Sequence, residues 1–377
     1  MARTIVDIHV IQTVPPSNLN RDDTGSPKTA VYGGCRRARV SSQAWKRAVR
    51  DAFADLLDPS ELGVRTKRVV ELVSEEIVRQ DGTLAGRAQE LAEAVLTAAG
   101  FKIVAARKKG APNESEFLVF LSNRQVENLA ILAVEAGRAG GKPVIDKAAA
   151  RARADQSHSV DVALFGRMVA NATDLNIDAA CQVAHALSVH AVDNEYDYFT
   201  AVDDHKKNDD EEDAGAGMIG TVEFNSSTLY RYATVDVDRL RDNLGDDTAT
   251  ARAVEAFATA FVSSMPTGKQ NTFANRTLPD AVLIVVRETQ SINLVGAFEE
   301  AVEDSCDGGR TVAAIARLAD HARELHDAYD EQPVAAWVFG VGGKRTAPLA
   351  ELAQPTTFRP AVEALGATAA ERLAGAR

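Results

Sequence analysis

At 377 residues, 45% hydrophobic and 25% charged, the chain is long enough for two to three domain-sized units around a sizeable core. Its longest uncharged apolar run, residues 281–286, is too short to span a bilayer, and MARTIVDIHV has no sustained apolar stretch before Asp7 and His9, so neither a membrane partner nor a secretory signal is expected. The formal charge is −12, yet residues 1–50 hold nine basic residues against three acids, a local +6 that leaves about −18 for the remainder.

Residues 4–11 alternate, with Val6, Ile8 and Val10 on one face and Asp7 and His9 on the other, which predicts an opening strand. Residues 12–34, rich in Pro, Ser, Asn, Asp and Gly, read as a loop. Ser41 and Ser42 then introduce a helix. Its Trp45, Val49, Ala52, Phe53 and Leu56 share one face, and Gln43, Lys46, Arg47 and Arg50 share the other. Residues 60–110 read as helical with mixed charge. A short strand over 116–121 ends at Ser122, and Ser122 with Gln125 forms a capping box for the next helix. Residues 136–141 mark a loop, and 148–154 lead into a second alternating segment, 160–164, followed by Phe165, Gly166, Arg167 and Met168.

The acidic stretch 203–213 predicts an exposed loop. Strand character returns over 221–236 with Tyr230 and Tyr232 on one face, and 248–262 is an amphipathic helix carrying Val254, Phe257 and Phe261. Residues 281–286 and 334–339 are buried-type strands with a helix, 312–329, between them. The order of elements predicts an α+β fold, an antiparallel sheet covered by helices with long excursions.

Between Lys28 and Arg50 lie seven basic residues and no acid. A solvated face is the bland explanation for a charge run, but such faces carry interspersed acids, so a phosphate backbone is the better-supported partner. Cys35, Cys181 and Cys306 form neither a disulfide framework nor a zinc motif. Cys181 and His185 would share a helical face, but His190 and Asp193 break the register, so core histidines in a helix-to-strand passage are expected rather than metal ligands. Asp203, Asp204 and His205 fit a solvated loop better than a catalytic cluster. Gly340, Gly342, Gly343 and Lys344 lack the four-residue spacer of a phosphate loop and read as a hairpin or loop. His9 has no identified partner for general-base work. Tyr196, Tyr198 and Phe199 suit either base stacking or packing of the loop's stem.

Two long stretches carry a resemblance. The blocks LNRDD and GG-x-RR-x-R-x-SSQ-x-x-KRA, from residues 19–50, and YFTAVDD with GTVEFNSSTLYRYATVDVDRLRDNLG, from 198 onward, resemble the backbone subunit of the type I-E CRISPR surveillance complex, Cascade (the CasC family). The resemblance continues through PTGKQNTFA and loosens over 60–115 and after about residue 300.

That resemblance implies a RAMP-type protein with an RRM-like (ferredoxin-like) palm, a helical fingers insertion and a protruding thumb loop. The implied division is palm at 1–57, 182–192 and 223–377, fingers at 58–181 and thumb at 193–222. It implies a non-catalytic subunit without cofactor or metal, polymerising along CRISPR RNA beside other Cascade subunits and neighbouring copies, and meeting target DNA through guide pairing; the unpaired cysteine spacing predicts a reducing, cytoplasmic compartment. An endoribonuclease of the same superfamily, using His9 or His185 and His190, is the alternative.

By motif, the resemblance places the phosphate grip at Asn20, Arg21, Lys28, Arg36, Arg37, Arg39, Ser41, Ser42, Gln43, Lys46, Arg47 and Arg50. It places a thumb-base motif at Tyr198, Phe199 and Thr200, with Tyr198 where the family more familiarly has tryptophan. Phe165 and Met168 match the fingers side of that clamp, and Lys269 and Gln270 a further guide-binding element.

Overall fold

The computed structural model describes residues 3–108, 110–169, 172–201, 218–303 and 309–375. The chain opens with β1 (Ile5–Ser17), β2 (Thr29–Tyr32), β3 (Cys35–Val40) and α1 (Ser42–Phe53). An insertion follows: β4 (Gly63–Thr66), α2 (Val69–Gln80), α3 (Ala88–Ala99), β5 (Ile103–Val104), β6 (Glu114–Ser115), β7 (Val119–Ser122), α4 (Asn123–Arg138), α5 (Lys147–Ala154) and α6 (Val160–Phe165). The chain returns through β8 (Cys181–Val183), β9 (Ala186–Ser188), β10 (Glu195–Ala201) and β11 (Met218–Asp236). It ends with α7 (Val237–Leu244), α8 (Asp247–Ser263), α9 (Gln270–Phe273), β12 (Ala281–Arg287), α10 (Gly309–Ala328), β13 (Ala335–Gly340), α11 (Gly343–Ala350), β14 (Gln354–Pro355) and α12 (Phe358–Gly375).

Ten of these strands make one sheet, in the order β14-β13-β12-β1-β11-β9-β3-β2, with β8 and β10 also paired to β11. Only the β13–β14 pair is parallel among the described strands. Both faces of β1 are buried. Val6, Ile8 and Val10 pack with Phe257 and Phe261 of α8 and with α12, while Ile11 joins the core under α10. The polar residues between them are satisfied internally: Asp7 accepts from Tyr232 (2.7 Å) and Arg287 (3.0 Å), and His9 Nδ1 meets the Tyr230 hydroxyl at 2.9 Å. The insertion has its own hydrophobic core, in which Val73, Ile77, Leu91, Leu96 and Leu129 are fully enclosed.

Several expectations need correction. β1 continues through the supposed loop to Ser17 because β11 extends alongside it, with an irregularity between Val14 and Ser17 that accommodates Pro15 and Pro16. Residues 29–32 are a strand, and the strand expected at 116–121 starts at Val119. Residues 160–164 are helical. All five are buried, so no solvent face imposes a readable period. Residues 181–188 form two short strands in place of the helix-to-strand passage. Leu56 lies beyond α1 and is exposed. Gly340 does not enter a hairpin: Gly342 turns at φ 86° and α11 begins. α12, rich in small residues, has no counterpart among the expected elements. It packs on α8 so closely that a Cβ on Gly366 would overlap the Glu255 carboxylate. No described helix is long and apolar enough to cross a membrane.

Candidate nucleic-acid interface

α1 is fixed by its apolar side. The Ser41 side chain accepts from Ala44 N (3.3 Å) at the N-terminus, and Trp45, Val49 and Phe53 are fully buried. Behind Trp45 lies a buried cation. The Arg231 guanidinium is 3.7 Å from the Trp45 ring and 4.6 Å from the Phe261 ring, and it donates to Gln12 and to the Phe261 carbonyl. Burial lowers its pKa to about 9, which leaves it protonated near neutrality. Gln43 and Arg47 face solvent, and Lys46 is half-buried with its ammonium 5.5 Å above the Phe165 ring.

The basic residues divide into two groups. Among the described residues, Arg21, Lys28, Arg36, Lys46 and Lys269 have no carboxylate within ion-pair range, and Arg47 reaches only the exposed Asp51 at 3.8 Å. Arg37, Arg39 and Arg50 are committed elsewhere. Arg37 is fully buried and donates to the carbonyls of Tyr32, Ser188, Phe298 and Glu299 (3.0–3.2 Å), so it is a structural residue with no face toward a phosphate. Arg39 donates to the Thr29 carbonyl (3.1 Å) and lies 3.2 Å from His185 Nδ1. Arg50 pairs with Asp161 (3.3 Å) and covers the Phe120 ring (4.4 Å), joining α1 to the insertion. Asn20 Oδ1 accepts from Ser41 N (2.9 Å), so the LNRDD loop and the start of α1 are one unit that also presents Ser42.

Three distant segments converge beside that unit. Asn18 Nδ2 donates to the carbonyls of Gly25 and Glu223 (3.0 Å each), and the Glu223 carboxylate accepts from Ser26 (2.9 Å) and Asn194 (3.2 Å). The loop holding Lys269 and Gln270 packs directly on this joint: a Cβ on Gly268 would overlap the Leu19 carbonyl oxygen. Phe273 meets Phe224 of β11 with centroids 5.8 Å apart. An open cleft between the loops is lined by Leu19, Asn20, Arg21 and Gly268 together with Asp22 and Asp23. Asp22 shapes its rim by accepting from Thr24 N, Thr24 Oγ1 and Ser26 N (2.7–3.0 Å), bonds that hold its carboxyl below the usual range, the Thr24 hydroxyl contributing most. The roles of Asn18, Glu223 and Gly268 depend on neighbours more than 200 residues away, and that of Phe273 on Phe224 in another element, so no local pattern announces them.

β10 and β11 form a ribbon leading away from the joint. Tyr196 and Tyr198 are exposed on one face. Phe199 points to the other, where its ring lies over Gly220, so close that a Cβ there would be 2.5 Å from it. The side chain of Thr200 and the acidic stretch 203–213 lie outside the described residues. Phe165 and Met168 do not share a face. Phe165 turns inward against Phe53 (6.4 Å) and Phe257 (6.3 Å), whereas Met168 is 82% exposed beyond the turn at Gly166 (φ 78°). Between them, buried Arg167 anchors the segment by donating to the carbonyls of Leu175 (2.8 Å) and Ala154 (3.0 Å).

The histidines considered for catalysis are dispersed. His9 is fully buried and its pKa is lowered to about 3, first by desolvation and then by Arg287 and His326. His190 is buried with Nδ1 on the Ala191 carbonyl (2.8 Å) and Nε2 accepting from Thr228 N (3.1 Å). His185 is exposed, not a core residue. Partial burial and then Arg39 and Lys28 lower its pKa. No group of three or more His, Cys, Asp or Glu among the described residues is placed to hold a metal.

The family model described as CT1975-like protein matches residues 6–364. Among solved structures, the chain is similar to a chain of a "CRISPR RNA-guided surveillance complex, pre-nicking", at 37% identity and a TM-score of 0.85, over 97% of this chain and 100% of that one. It is also similar to a chain of a "CRISPR RNA-guided surveillance complex" at 32% identity and a TM-score of 0.76, over 97% and 99% respectively. No curated protein matches.

Proposed function

This chain belongs to the CT1975-like protein family, and from that premise we propose that it is the guide-RNA-binding backbone subunit of a type I-E Cascade complex. In this reading the central sheet with α1 is an RRM-like palm, residues 58–181 are the fingers, and the β10–β11 ribbon is the base of a thumb at 193–222. Copies of the chain polymerise along the guide spacer beside other complex subunits and present the guide to target DNA. The subunit itself performs no chemistry.

The observation that carries the reading is the gathering, around Asn18 and Glu223, of Arg21, Lys28 and Lys269 with the N-terminal end of α1, all at least partly exposed. Cations beside hydroxyl and amide donors hold phosphate and sugar and leave base edges free, as a holder of guides of any sequence requires. Arg37 and Arg50 support this face from behind, and Arg39 stiffens it. The exposed Tyr198 and Met168 and the half-exposed Phe199 offer apolar surfaces that separate stacked bases without reading them. The net acidic charge of the remainder disfavours indiscriminate binding of other nucleic acid. Co-expression with a CRISPR array tests the proposal. RNA should co-purify, and the protein-to-RNA ratio should rise with spacer length; a ratio independent of spacer length would overturn the polymerising scaffold.

A further inference from the structure

Two stretches of the insertion, residues 64–68 and 102–108, hold basic residues and no acid, and the fold places them side by side. Ser115 N of β6 donates to the Lys67 carbonyl (2.9 Å), β6 pairs with β5, and Glu116 N donates to the Lys102 carbonyl (3.0 Å). Arg65 sits opposite Phe120 in the β4–β7 pair, the ring that Arg50 covers, so this second cationic surface begins one strand from the end of α1. Arg65, Lys67, Lys102, Arg107 and Lys108 are all exposed. Of these five, Lys102 is paired, to Glu116 at 2.9 Å; the other four have no carboxylate within ion-pair range among the described residues. Beside them Phe117 is 50% exposed, and its carbonyl accepts from Ser115 Oγ at 2.7 Å, which fixes the backbone that presents the ring.

Unpaired cations along a surface with an exposed ring among them suit a single nucleic-acid strand, because the cations meet phosphates and the ring stacks on any base. A duplex, whose bases are already stacked on one another, has no use for Phe117. We propose that this face of the insertion binds a second, unpaired nucleic-acid strand, the DNA strand released when the guide pairs with its complement. The proposal rests on the guide-scaffold reading, since pairing a guide into duplex DNA necessarily frees one strand.

The test uses the guide-loaded complex and a fluorescent oligo-dT, with guide content measured on the same preparations. Lys67→Gln with Arg107→Gln and Lys108→Gln should weaken oligo-dT binding by about tenfold or more and make its salt slope shallower by about 0.7 for each phosphate left unneutralised. Phe117→Ala should weaken it by about fivefold or more, leave the salt slope unchanged and leave duplex binding untouched. Guide content should be that of the parent in both. Unchanged oligo-dT affinity in both variants overturns the proposal, and so does a parallel fall in guide content, which would assign the patch to the guide's own track. If the protein-to-RNA ratio is independent of spacer length while the patch variants behave as expected, the scaffold reading fails, and the patch stands as a single-strand site whose occupant is not a strand freed by guide pairing.

Discussion

The Arg50 guanidinium lies 3.3 Å from the carboxylate of Asp161 and 4.4 Å from the Phe120 ring, so one side chain of the basic helix ties the sheet to the insertion. Asp161 is buried. Desolvation raises its pKa, opposed by the Ser159 hydroxyl (2.6 Å) and by Arg50. Arg50→Ala leaves this carboxyl without its cation and should cost about 2–4 kcal/mol in urea unfolding, somewhat below the value for a fully enclosed pair because Arg50 is partly open to solvent. The sign with pH follows from the raised pKa. A carboxyl protonated more readily in the folded state stabilises it below the ordinary carboxylate range, and that contribution is lost as pH rises through the folded value. Arg50→Ala should therefore lose stability on going from mildly acidic to neutral pH, and adding Asp161→Asn should remove that dependence. An unchanged slope in the double variant would count against Asp161 as its source.

Arg37 and Lys46 separate structure from binding. Arg37→Ala abandons four buried carbonyls and should destabilise by more than about 3 kcal/mol. The protein that remains folded should keep the parental salt dependence of RNA binding. Lys46→Ala with Arg47→Ala should leave unfolding stability within about 0.5 kcal/mol of the parent. It should weaken binding equally for unrelated guide sequences, with a salt slope shallower by about 0.7 for each phosphate no longer neutralised. A weakening that depended on guide sequence would mean base readout.

Gly268 tests the joint between loops. A methyl group there would overlap the Leu19 carbonyl oxygen and lie 2.8 Å from that of Asn18, both backbone atoms that cannot swing aside. Gly268→Ala should push the Lys269 loop off the LNRDD loop, lowering RNA affinity several-fold while circular dichroism and the unfolding midpoint change little. Gly25, at φ 92° with open space around it, makes a control: Gly25→Asn keeps a residue that tolerates positive φ and should bind RNA as the parent does. Equal affinity in Gly268→Ala would show that the two loops act separately.

His9 predicts an acid limit. Its pKa falls from 6.5 to about 3 on folding because burial disfavours the charged ring. The unfolded chain therefore binds the proton more readily, and stability drops as pH falls below about 6.5, by about 1.4 kcal/mol per pH unit from this group. His9→Gln should flatten the pH 5–6.5 segment of the stability profile by about that amount. It should leave RNA unprocessed, as in the parent; cleavage of repeat RNA by the parent that His9→Gln abolishes would restore the nuclease alternative.

The sequence showed α1 and its two faces because Trp45, Val49 and Phe53 recur at helical spacing, and it showed the capping box at Ser122 because both partners are local. It misplaced Arg37, since a basic residue in a basic run carries no mark that four backbone carbonyls from three segments will surround it. Phe165 and Met168 part for a related reason: the reversal at Gly166 that turns one inward and leaves the other exposed depends on the backbone of residues 177–179. The 160–164 helix was hidden because a segment buried on every side shows no period. Local chemistry was legible, and allegiance across the fold was not.

Phe199 and Gly220 offer the sharpest check on the proposed thumb base. They are paired across β10 and β11, and the ring occupies the space a side chain at Gly220 would need. Phe199→Ala removes the ring. Gly220→Ala keeps it but displaces it by putting a methyl group 2.5 Å from its edge. If the ring spaces the guide, both variants should alter the nuclease footprint of bound RNA at the same recurring positions. RNA content should hold, because the groups of α1 and the LNRDD loop proposed to bind phosphate are untouched. If the ring only packs the ribbon, Phe199→Ala should lower thermal stability with the parental footprint retained. A footprint altered by Gly220→Ala alone would place the spacing function in the ribbon's backbone path and not in the aromatic ring.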